Sequence, residues 1–370
     1  MCAECGRELL LKSVNINRRV DIFVENLLSL EIKTYTMMRR RFSLLSVLLC
    51  LGSFAAILFT TACRQPSSSS SQTQTSPHVV DVPDFDADSA FAYVERQVAF
   101  GPRVPNTPAH RNAAEYLAAE LRRHGAQVAL QDFRVRAYDG TMLDARNIIA
   151  SYSPEKKDRV LLFAHWDTRP YADNDPQQKN HRLPIDGAND GASGVAVLLE
   201  TARQIHARSP RIGIDIIFFD VEDYGRPYFS DRPEQGDSWA LGSQYWARRP
   251  HNPAYRARYG ILLDMVGGKN SRFPREGVSM QQAPSIVDKV WKAAQSLGYG
   301  DYFVDERGGY INDDHVYVGR RVPSIDIIAY DESQGGFVPQ WHTLDDTLEN
   351  IDKGTLKAVG QTLLWVIYNE

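Results

Sequence analysis

The chain has 370 residues, of which 43% are hydrophobic and 24% are charged, as in an ordinary globular protein that can bury a full core. Its formal net charge is -4 at pH 7 and its pI is about 6.2. A chain without a basic excess lacks the cations that bind a phosphate backbone by counterion release, so nucleic acid is excluded as a partner.

An export signal is predicted near the N-terminus. Three arginines at 39–41 precede an apolar run at 42–59, and small residues follow as far as Ala62. Cys63 comes directly after them, which is typical of a bacterial lipoprotein signal whose cysteine carries the lipid and begins the mature protein. A single membrane-spanning helix is the alternative interpretation, but the apolar run is short for a span and ends at a polar tether.

Four segments are predicted along the chain: an upstream extension outside the natural protein at 1–36, a lipoprotein-type signal peptide at 37–62, a Ser/Gln/Pro-rich tether at 63–80 and a single catalytic domain at 81–370. Translation is expected to start at Met37 or Met38. The lipid on Cys63 is expected to hold an exported domain at the membrane, facing the periplasm. Because no cysteine follows Cys63, the domain has neither a disulfide nor a cysteine nucleophile.

Within the domain, the first predicted element is an amphipathic helix. Thr107 and Pro108 supply its cap and first residue, and apolar residues recur at helical spacing as far as Gly125. Two strands are predicted after it, at 128–135 and 147–150.

Farther along the chain, short and almost entirely apolar runs indicate strands that are buried on both faces, at 160–164, 214–219, 261–263 and 322–329. Helical stretches fall between and after them, at 194–206, 238–247, 284–297 and 354–368. This alternation predicts an α/β fold, a three-layer α/β/α sandwich around a central mixed, mostly parallel twisted sheet. The early strands are expected to lie antiparallel at one edge.

Polar side chains follow three of the buried strands, at the point where each strand ends. His165 and Asp167 follow the first strand, Glu222 and Asp223 the second, and Asp264 the third. Because the carboxyl ends of parallel strands lie along one edge of a sheet, these side chains are expected to meet in one crevice.

Two further candidates lie in loops, Asp190 just before a predicted helix and His342 in a polar segment near the C-terminus. Taken singly, an aspartate before a helix is usually an N-cap, and a carboxylate after a strand often forms a turn. Taken together, crowded carboxylates repel one another unless a cation neutralises them. Zn²⁺ accepts both carboxylate oxygen and imidazole nitrogen, so the pattern predicts a catalytic zinc site.

Five motifs carry these residues in a characteristic order: His165-Trp166-Asp167, residues 187–194, residues 219–223, Leu263-Asp264 and His342-Thr343. They resemble the metal motifs of the zinc aminopeptidase superfamily, which also contains the glutaminyl cyclases. Three further features resemble the cyclases in particular: Asp313-Asp314-His315, Trp341-His342, and Asp237-Ser238 before Leu241-Gly242-Ser243. The resemblance covers essentially the whole chain from Phe91 onward and is nearest to bacterial homologues of the animal cyclases.

The resemblance implies one zinc ion per chain, held by Asp190, Asp223 and His342 with a fourth position open. It implies that Glu222 is the proton shuttle and that Asp264 and Asp313 hydrogen-bond around it. Animal cyclases have Glu where this chain has Asp223, which keeps an oxygen ligand on a shorter side chain.

For the substrate, the resemblance implies that Trp341 lines a glutamine pocket, with Trp239 as a further candidate. His165 and Asp167 would orient their neighbours or serve a second metal. The implied reaction converts the N-terminal glutamine of peptides or proteins to pyroglutamate and releases ammonia. A monomer is expected.

Two other functions stay open on the residues alone. The first is a two-zinc aminopeptidase, because His165 and Asp264 stand where that class places ligands for a second metal. The second is a non-catalytic binding domain, which is disfavoured because no predicted ligand or base is substituted. The segment Asp313-Asp314-His315 and Trp341 favour the cyclase.

Overall fold

A computed structural model describes residues 80–233, 236–332 and 335–370 of the chain. These residues form a six-stranded mixed sheet with helices on both faces. The strands, in chain order, are β1 (Gln127–Arg136), β2 (Met142–Tyr152), β3 (Arg159–His165), β4 (Gly213–Phe219), β5 (Gly260–Asp264), β6 (Phe273–Arg275), β7 (Phe303–Arg307), β8 (Ser324–Ile328), β9 (Tyr330–Asp331) and β10 (Gly336–Phe337). The helices are α1 (Ala87–Val98), α2 (Pro108–Arg123), α3 (Ala192–Ala207), α4 (Leu241–Arg248), α5 (Gly277–Gln282), α6 (Pro284–Ser296), α7 (Asp314–Val318) and α8 (Lys353–Tyr368). Among the described residues, 3₁₀ turns lie at Gln178–Asn180 and Leu348–Asn350.

The sheet has the strand order β1-β2-β4-β3-β5-β8. The pairs β4–β3, β3–β5 and β5–β8 are parallel, whereas β1–β2 and β2–β4 are antiparallel. The predicted fold class, including its antiparallel edge, is confirmed. The parallel register aligns His165 with Phe219 and Asp264 with Ile328, so the loops that follow these strands open at the same edge.

Two apolar layers pack on opposite faces of the central strands. Every residue of β3, β4, β5 and β8 is buried. Alternate side chains such as Leu162, Ile216 and Ile261 pack with α1, α2, α3, α6 and α8, while Phe163 and Ile217 pack with α4 and α7 on the other face. Alternation along each strand is the reason that one sheet supports both layers.

Several elements differ from the sequence prediction. The helix predicted at 238–247 begins only at Leu241, because Ala240 has a left-handed backbone with φ of 51°. Helix α1, capped by the side chain of Asp86, was not predicted, although Ala90, Tyr93, Val94 and Gln97 form its buried stripe. The short pairs β6–β7 and β9–β10 were also missed, since β6, β9 and β10 have only two or three residues, which carry no readable period.

The predicted upstream extension, the signal peptide, the lipid-bearing Cys63 and the tether up to residue 79 lie outside the described residues. Within the part that is described, no helix combines the length and the apolar character that crossing a bilayer requires.

Candidate active site

Three side chains from distant parts of the chain meet at the carboxyl edge of the sheet. The ligand atoms of Asp190, Asp223 and His342 lie within 4.8 Å of one another, and all three residues are buried. The Nε2 atom of His342 is 3.2 Å from Oδ1 of Asp223 and 3.6 Å from Oδ2 of Asp190. The structure therefore brings together the three residues that the resemblance implied as zinc ligands.

Asp190 does not serve as a helix cap. The N-cap of α3 is Gly191, with φ of 88° and without a side-chain cap. A Cβ atom at Gly191 would lie 2.9 Å from the carbonyl oxygen of Asp167, so only glycine fits this turn. The backbone amides of Asn189 and Asp190 donate to the two carboxylate oxygens of Asp346, over 2.7 and 3.0 Å, which leaves the Asp190 side chain free to face His342.

The loop after β4 presents Glu222 and Asp223. Val221 begins it with φ of 54°, a left-handed conformation that is strained for a β-branched residue. The carboxylate of Asp167 accepts from the amides of Glu222, at 3.0 Å, and Asp223, at 3.2 Å, and so ties this loop to the end of β3. Strain and an anchoring carboxylate at the same turn indicate that the positions of Glu222 and Asp223 are closely held.

A second group of possible ligands adjoins the first. The Nε2 atom of His165 lies 3.0 Å from Oδ1 of Asp190 and 3.2 Å from Oδ1 of Asp264. Asp190 thus belongs to both groups, and the ligand atoms of His165, Asp190 and Asp264 also lie within 4.8 Å of one another. The Nδ1 atom of His165 is 3.6 Å from Asp167, so both predicted arrangements for His165 are geometrically available.

Buried carboxylates dominate the electrostatics of the site, although Nη1 of Arg169 lies 3.7 Å from Oδ1 of Asp223. Burial raises the pKa of Asp223 well above its usual range, and the charge of Asp190 raises it further. Burial lowers the pKa of His342 well below its usual value, so this imidazole is neutral and able to donate a lone pair. Neither carboxylate oxygen of Asp223 accepts a hydrogen bond from any residue that the structure describes. The donor set and the unpaired oxygens fit a divalent cation.

The candidate proton shuttle and its partners face the same cavity. Glu222, Asp264 and Asp313 all line a cavity of about 320 Å³ together with the three candidate ligands. Burial raises the pKa of Glu222 well above its usual range, with the charge of Asp313 as the next cause. Burial also raises the pKa of Asp264, to about 7. The side chain of Asp313 additionally caps α7 by accepting from the amide of Asp314 at 2.5 Å.

Aromatic rings form the other wall of this cavity. The Trp341 ring stacks on His342 with centroids 3.9 Å apart, and the Trp239 ring lies parallel to His342 at 5.9 Å. Phe337 continues the wall at 4.3 Å from Trp341. Both tryptophans line the cavity, as the substrate-binding prediction requires. An apolar wall opposite a few convergent polar groups is the usual make-up of a small-molecule site.

His315 lies away from the cavity and is completely buried. Its Nε2 atom is 3.1 Å from Oε2 of Glu276, and its Nδ1 atom is 3.7 Å from Oδ2 of Asp326. Its ligand atoms also group with those of Asp313 and Asp326.

Three residues that shape the site carried no prediction: Arg169, Asp173 and Asp346. Asp346 holds the Asp190 loop, Asp173 approaches Nδ1 of His342 at 3.5 Å, and Arg169 pairs with Asp173. Each lies within a few residues of a predicted motif, and this proximity is the only sign in the sequence that they belong to the site. Their immediate neighbours do not distinguish them from solvated charges at a protein surface.

Comparison with known proteins matches residues 147–367 to the family described as Peptidase family M28. A curated relative, the glutaminyl-peptide cyclotransferase of Bothrops jararaca, is 27% identical over 245 residues, which cover 59% of this chain and 63% of the relative. The chain thus spans less than two thirds of that relative's length.

Solved structures match the domain over their whole length. The glutaminyl cyclase of Bacteroides thetaiotaomicron, bound to N-acetylhistamine, is 59% identical and covers 78% of this chain and 100% of its own, with a TM-score of 0.77. A Zn-dependent exopeptidase from Parabacteroides distasonis is 61% identical, with the same coverage and a TM-score of 0.77. A leucine aminopeptidase precursor from Bacteroides thetaiotaomicron is 58% identical and covers 79% of this chain and 100% of its own, with a TM-score of 0.77. These similarities confirm the predicted resemblance to the glutaminyl cyclases, which are enzymes, and show that the chain belongs to peptidase family M28.

Proposed function

We propose that this protein is a zinc-dependent glutaminyl-peptide cyclotransferase, which closes the N-terminal glutamine of peptides and proteins to pyroglutamate and releases ammonia. One observation carries the proposal: Asp190, Asp223 and His342 meet beside a cavity that is walled by Trp341 and contains Glu222, an acidic group outside this trio. The chain is also 59% identical to a structure named as a glutaminyl cyclase.

The proposed metal is one zinc ion per chain, held by Asp190, Asp223 and His342. A neutral imidazole and two buried carboxylates, one of them without hydrogen bonds from the described residues, support this set. When bound, zinc supplies Lewis acidity toward the side-chain carbonyl of the substrate glutamine.

In the proposed reaction, Glu222 moves the protons. The α-amine of the substrate attacks the side-chain amide carbon, a C–N bond forms within the new ring, and the bond to the amide nitrogen breaks. Glu222 takes a proton from the attacking amine and returns it to the departing nitrogen, which leaves as ammonia. A carboxyl whose pKa is raised by burial suits a group that both accepts and donates at neutral pH.

The remaining residues hold the substrate in a reactive conformation. Nucleophile and electrophile belong to one amino acid, so a small cavity that keeps the glutamine compact supplies much of the rate enhancement. Asp264 and Asp313 face the same space as Glu222, where they can accept hydrogen bonds from the amine. The flat ring of the product matches the faces of Trp341 and Trp239.

A second candidate function is a two-zinc aminopeptidase. The group formed by His165, Asp190 and Asp264 favours it, because Asp190 could bridge two ions. One similar structure is named as a leucine aminopeptidase precursor. If this chain were such a peptidase, Glu222 would activate water instead of the substrate amine.

Purified protein incubated with matched glutaminyl and leucyl peptides separates the two functions. The cyclase releases ammonia from the glutaminyl peptide, leaves the peptide bond intact and carries one zinc per chain. Release of free leucine together with two zinc ions per chain would establish the peptidase and refute the cyclase.

The proposed setting is the cell envelope, where a monomeric catalytic domain faces the periplasm from a lipid anchor on Cys63. The residue pattern at 37–63 supports it. Labelling cells with a radioactive fatty acid tests it: the full chain incorporates label, the Cys63→Ser variant does not, and an unlabelled full chain would refute the anchor.

A further inference from the structure

Arg169 is a buried cation that contacts several parts of the site. Its side chain is 1% exposed. The Nε and Nη2 atoms each donate to one oxygen of Asp173 over 2.6 Å, and Nη1 donates to the backbone oxygens of Asp223, at 3.1 Å, and Gly225, at 3.3 Å. One guanidinium therefore gives its hydrogen bonds to the carboxylate of Asp173 and to the backbone of the loop that carries a proposed ligand, and its Nη1 atom also lies 3.7 Å from Oδ1 of that ligand, Asp223.

That carboxylate reaches the proposed ligand His342. Oδ1 of Asp173 lies 3.5 Å from Nδ1 of His342, while the other ring nitrogen faces Asp190 and Asp223. The amide of Asn174 also donates to the backbone oxygen of His342 at 3.0 Å. A carboxylate on the second nitrogen selects the tautomer and the orientation of a metal-binding histidine. Because Arg169 donates hydrogen bonds to both oxygens of Asp173, it fixes the position of this carboxylate relative to the His342 ring.

Arg169 also supports the aromatic wall. Its guanidinium carbon is 4.6 Å from the centroid of Trp239, whose ring is parallel to that of His342. Gly225 lies directly against the indole, since a Cβ atom there would be 2.1 Å from the Trp239 ring. Arg169 thus contacts the indole itself and the backbone on which the indole packs.

We propose that Arg169 and Asp173 form a positioning pair that orients His342 for zinc and holds Trp239 at the substrate cavity. The proposal rests on the function proposed for this site. Neither residue touches substrate or reacting atoms; both act through their neighbours. A lysine at position 169 would keep the charge but would lose the planar fork that reaches Asp173, Asp223 and Gly225 together.

The test compares Arg169→Lys with a matched control, Arg159→Lys. Arg159 is also buried and also binds an aspartate through two nitrogens, Asp215 at 2.6 and 2.7 Å, but it begins β3 at the opposite edge of the sheet. Both variants lose one buried arginine fork, so a purely structural effect lowers their thermal stability alike.

Two readouts separate positioning from structure. Zinc affinity, measured by competition with a chelator, is expected to fall about 10- to 100-fold in Arg169→Lys and to stay within about twofold of the parent in Arg159→Lys. In zinc-saturated protein, ammonia release by Arg169→Lys is expected to show a lower kcat and a higher KM, the latter because Trp239 loses its support. Equal zinc affinity and equal kinetic constants in the two variants would overturn the proposal.

A milder variant covers the case in which Arg169→Lys does not fold. Asp173→Asn keeps the shape of the side chain but weakens its contacts with Arg169 and His342, so a smaller loss of zinc affinity in the same direction is expected. An unchanged affinity in this folded variant counts against the proposal. If the parent protein binds zinc but releases no ammonia from glutaminyl peptides, the proposed function fails, while the zinc measurements still decide the role of the pair.

Discussion

A single buried carboxylate, that of Glu276, joins three elements beside the cavity. It caps α5 by accepting from the amides of Val278 and Ser279, at 2.8 and 2.6 Å. It also accepts from the amide of Ile311 at 3.0 Å and lies 3.1 Å from Nε2 of His315. Ile311 lines the cavity, so Glu276 connects the capped helix to the cavity wall.

The contribution of this carboxylate to stability follows from its pKa. Burial opposes its ionisation, but the bonds from His315, Ile311 and Ser279 outweigh burial and lower the pKa from 4.5 to about 2. At about 1.4 kcal/mol for each pKa unit, the ionised form stabilises the fold by about 3 kcal/mol at neutral pH. Because the folded pKa is the lower one, this stability is present above pH 4.5 and is lost as the pH falls toward 2.

The perturbation is Glu276→Gln, which resembles the protonated acid in replacing one acceptor oxygen by a donor. Denaturant unfolding at a series of pH values is expected to give a variant about 3 kcal/mol less stable than the parent at pH 7, with the difference shrinking steadily below about pH 4.5. A difference that stays constant from pH 7 to pH 3 would refute the reasoning. So would a difference near zero at pH 7.

Three further predictions concern the site. Glu222→Gln is expected to lower the rate of ammonia release by about 100- to 10,000-fold, while the zinc content stays unchanged; a rate within a few fold of the parent would remove Glu222 from proton transfer. Gly225→Ala places a methyl group 2.1 Å from the Trp239 ring and is expected to raise the KM for a glutaminyl peptide. In the control Gly140→Ala the added Cβ has no atom within 4 Å, so KM is expected to stay unaltered, although the positive φ of this residue brings a small loss of stability. Removing the metal with a chelator at pH 7 is expected to lower the melting temperature, because the buried carboxylates of Asp190 and Asp223 then lose the cation that they share, and added zinc restores it; an unchanged melting temperature would contradict a bound ion.

Much of the fold could be read from the chain because its local signals are strong. The four apolar runs of the central strands have no polar side of their own, so they can only be covered on both faces, and the helices between them supply that cover. Parallel strands then place the residues that follow them at one edge of the sheet. The sequence alone therefore assigns Asp167, Glu222 and Asp264 to a common crevice.

What the sequence could not convey is the detail set by contacts between distant residues. Taken singly, Asp190 could equally be a helix cap, and only the tertiary structure shows that Gly191 takes that position while Asp346 holds the loop from the far end of the chain. The left-handed turn at Val221 is held by distant residues that the sequence does not reveal, because Asp167 accepts from the next two amides and the amide of Leu241 donates to the Val221 oxygen.

The composition and order of the motifs thus determined the fold class, the family and the cluster of acidic and imidazole groups, because each depends on short-range pattern and on the geometry of parallel sheets. The tertiary structure alone decided how that cluster is held. Arg169 and Asp173 are ordinary charges in the sequence, and they gain their place beside His342 and Trp239 only when loops from separate strands close on one another.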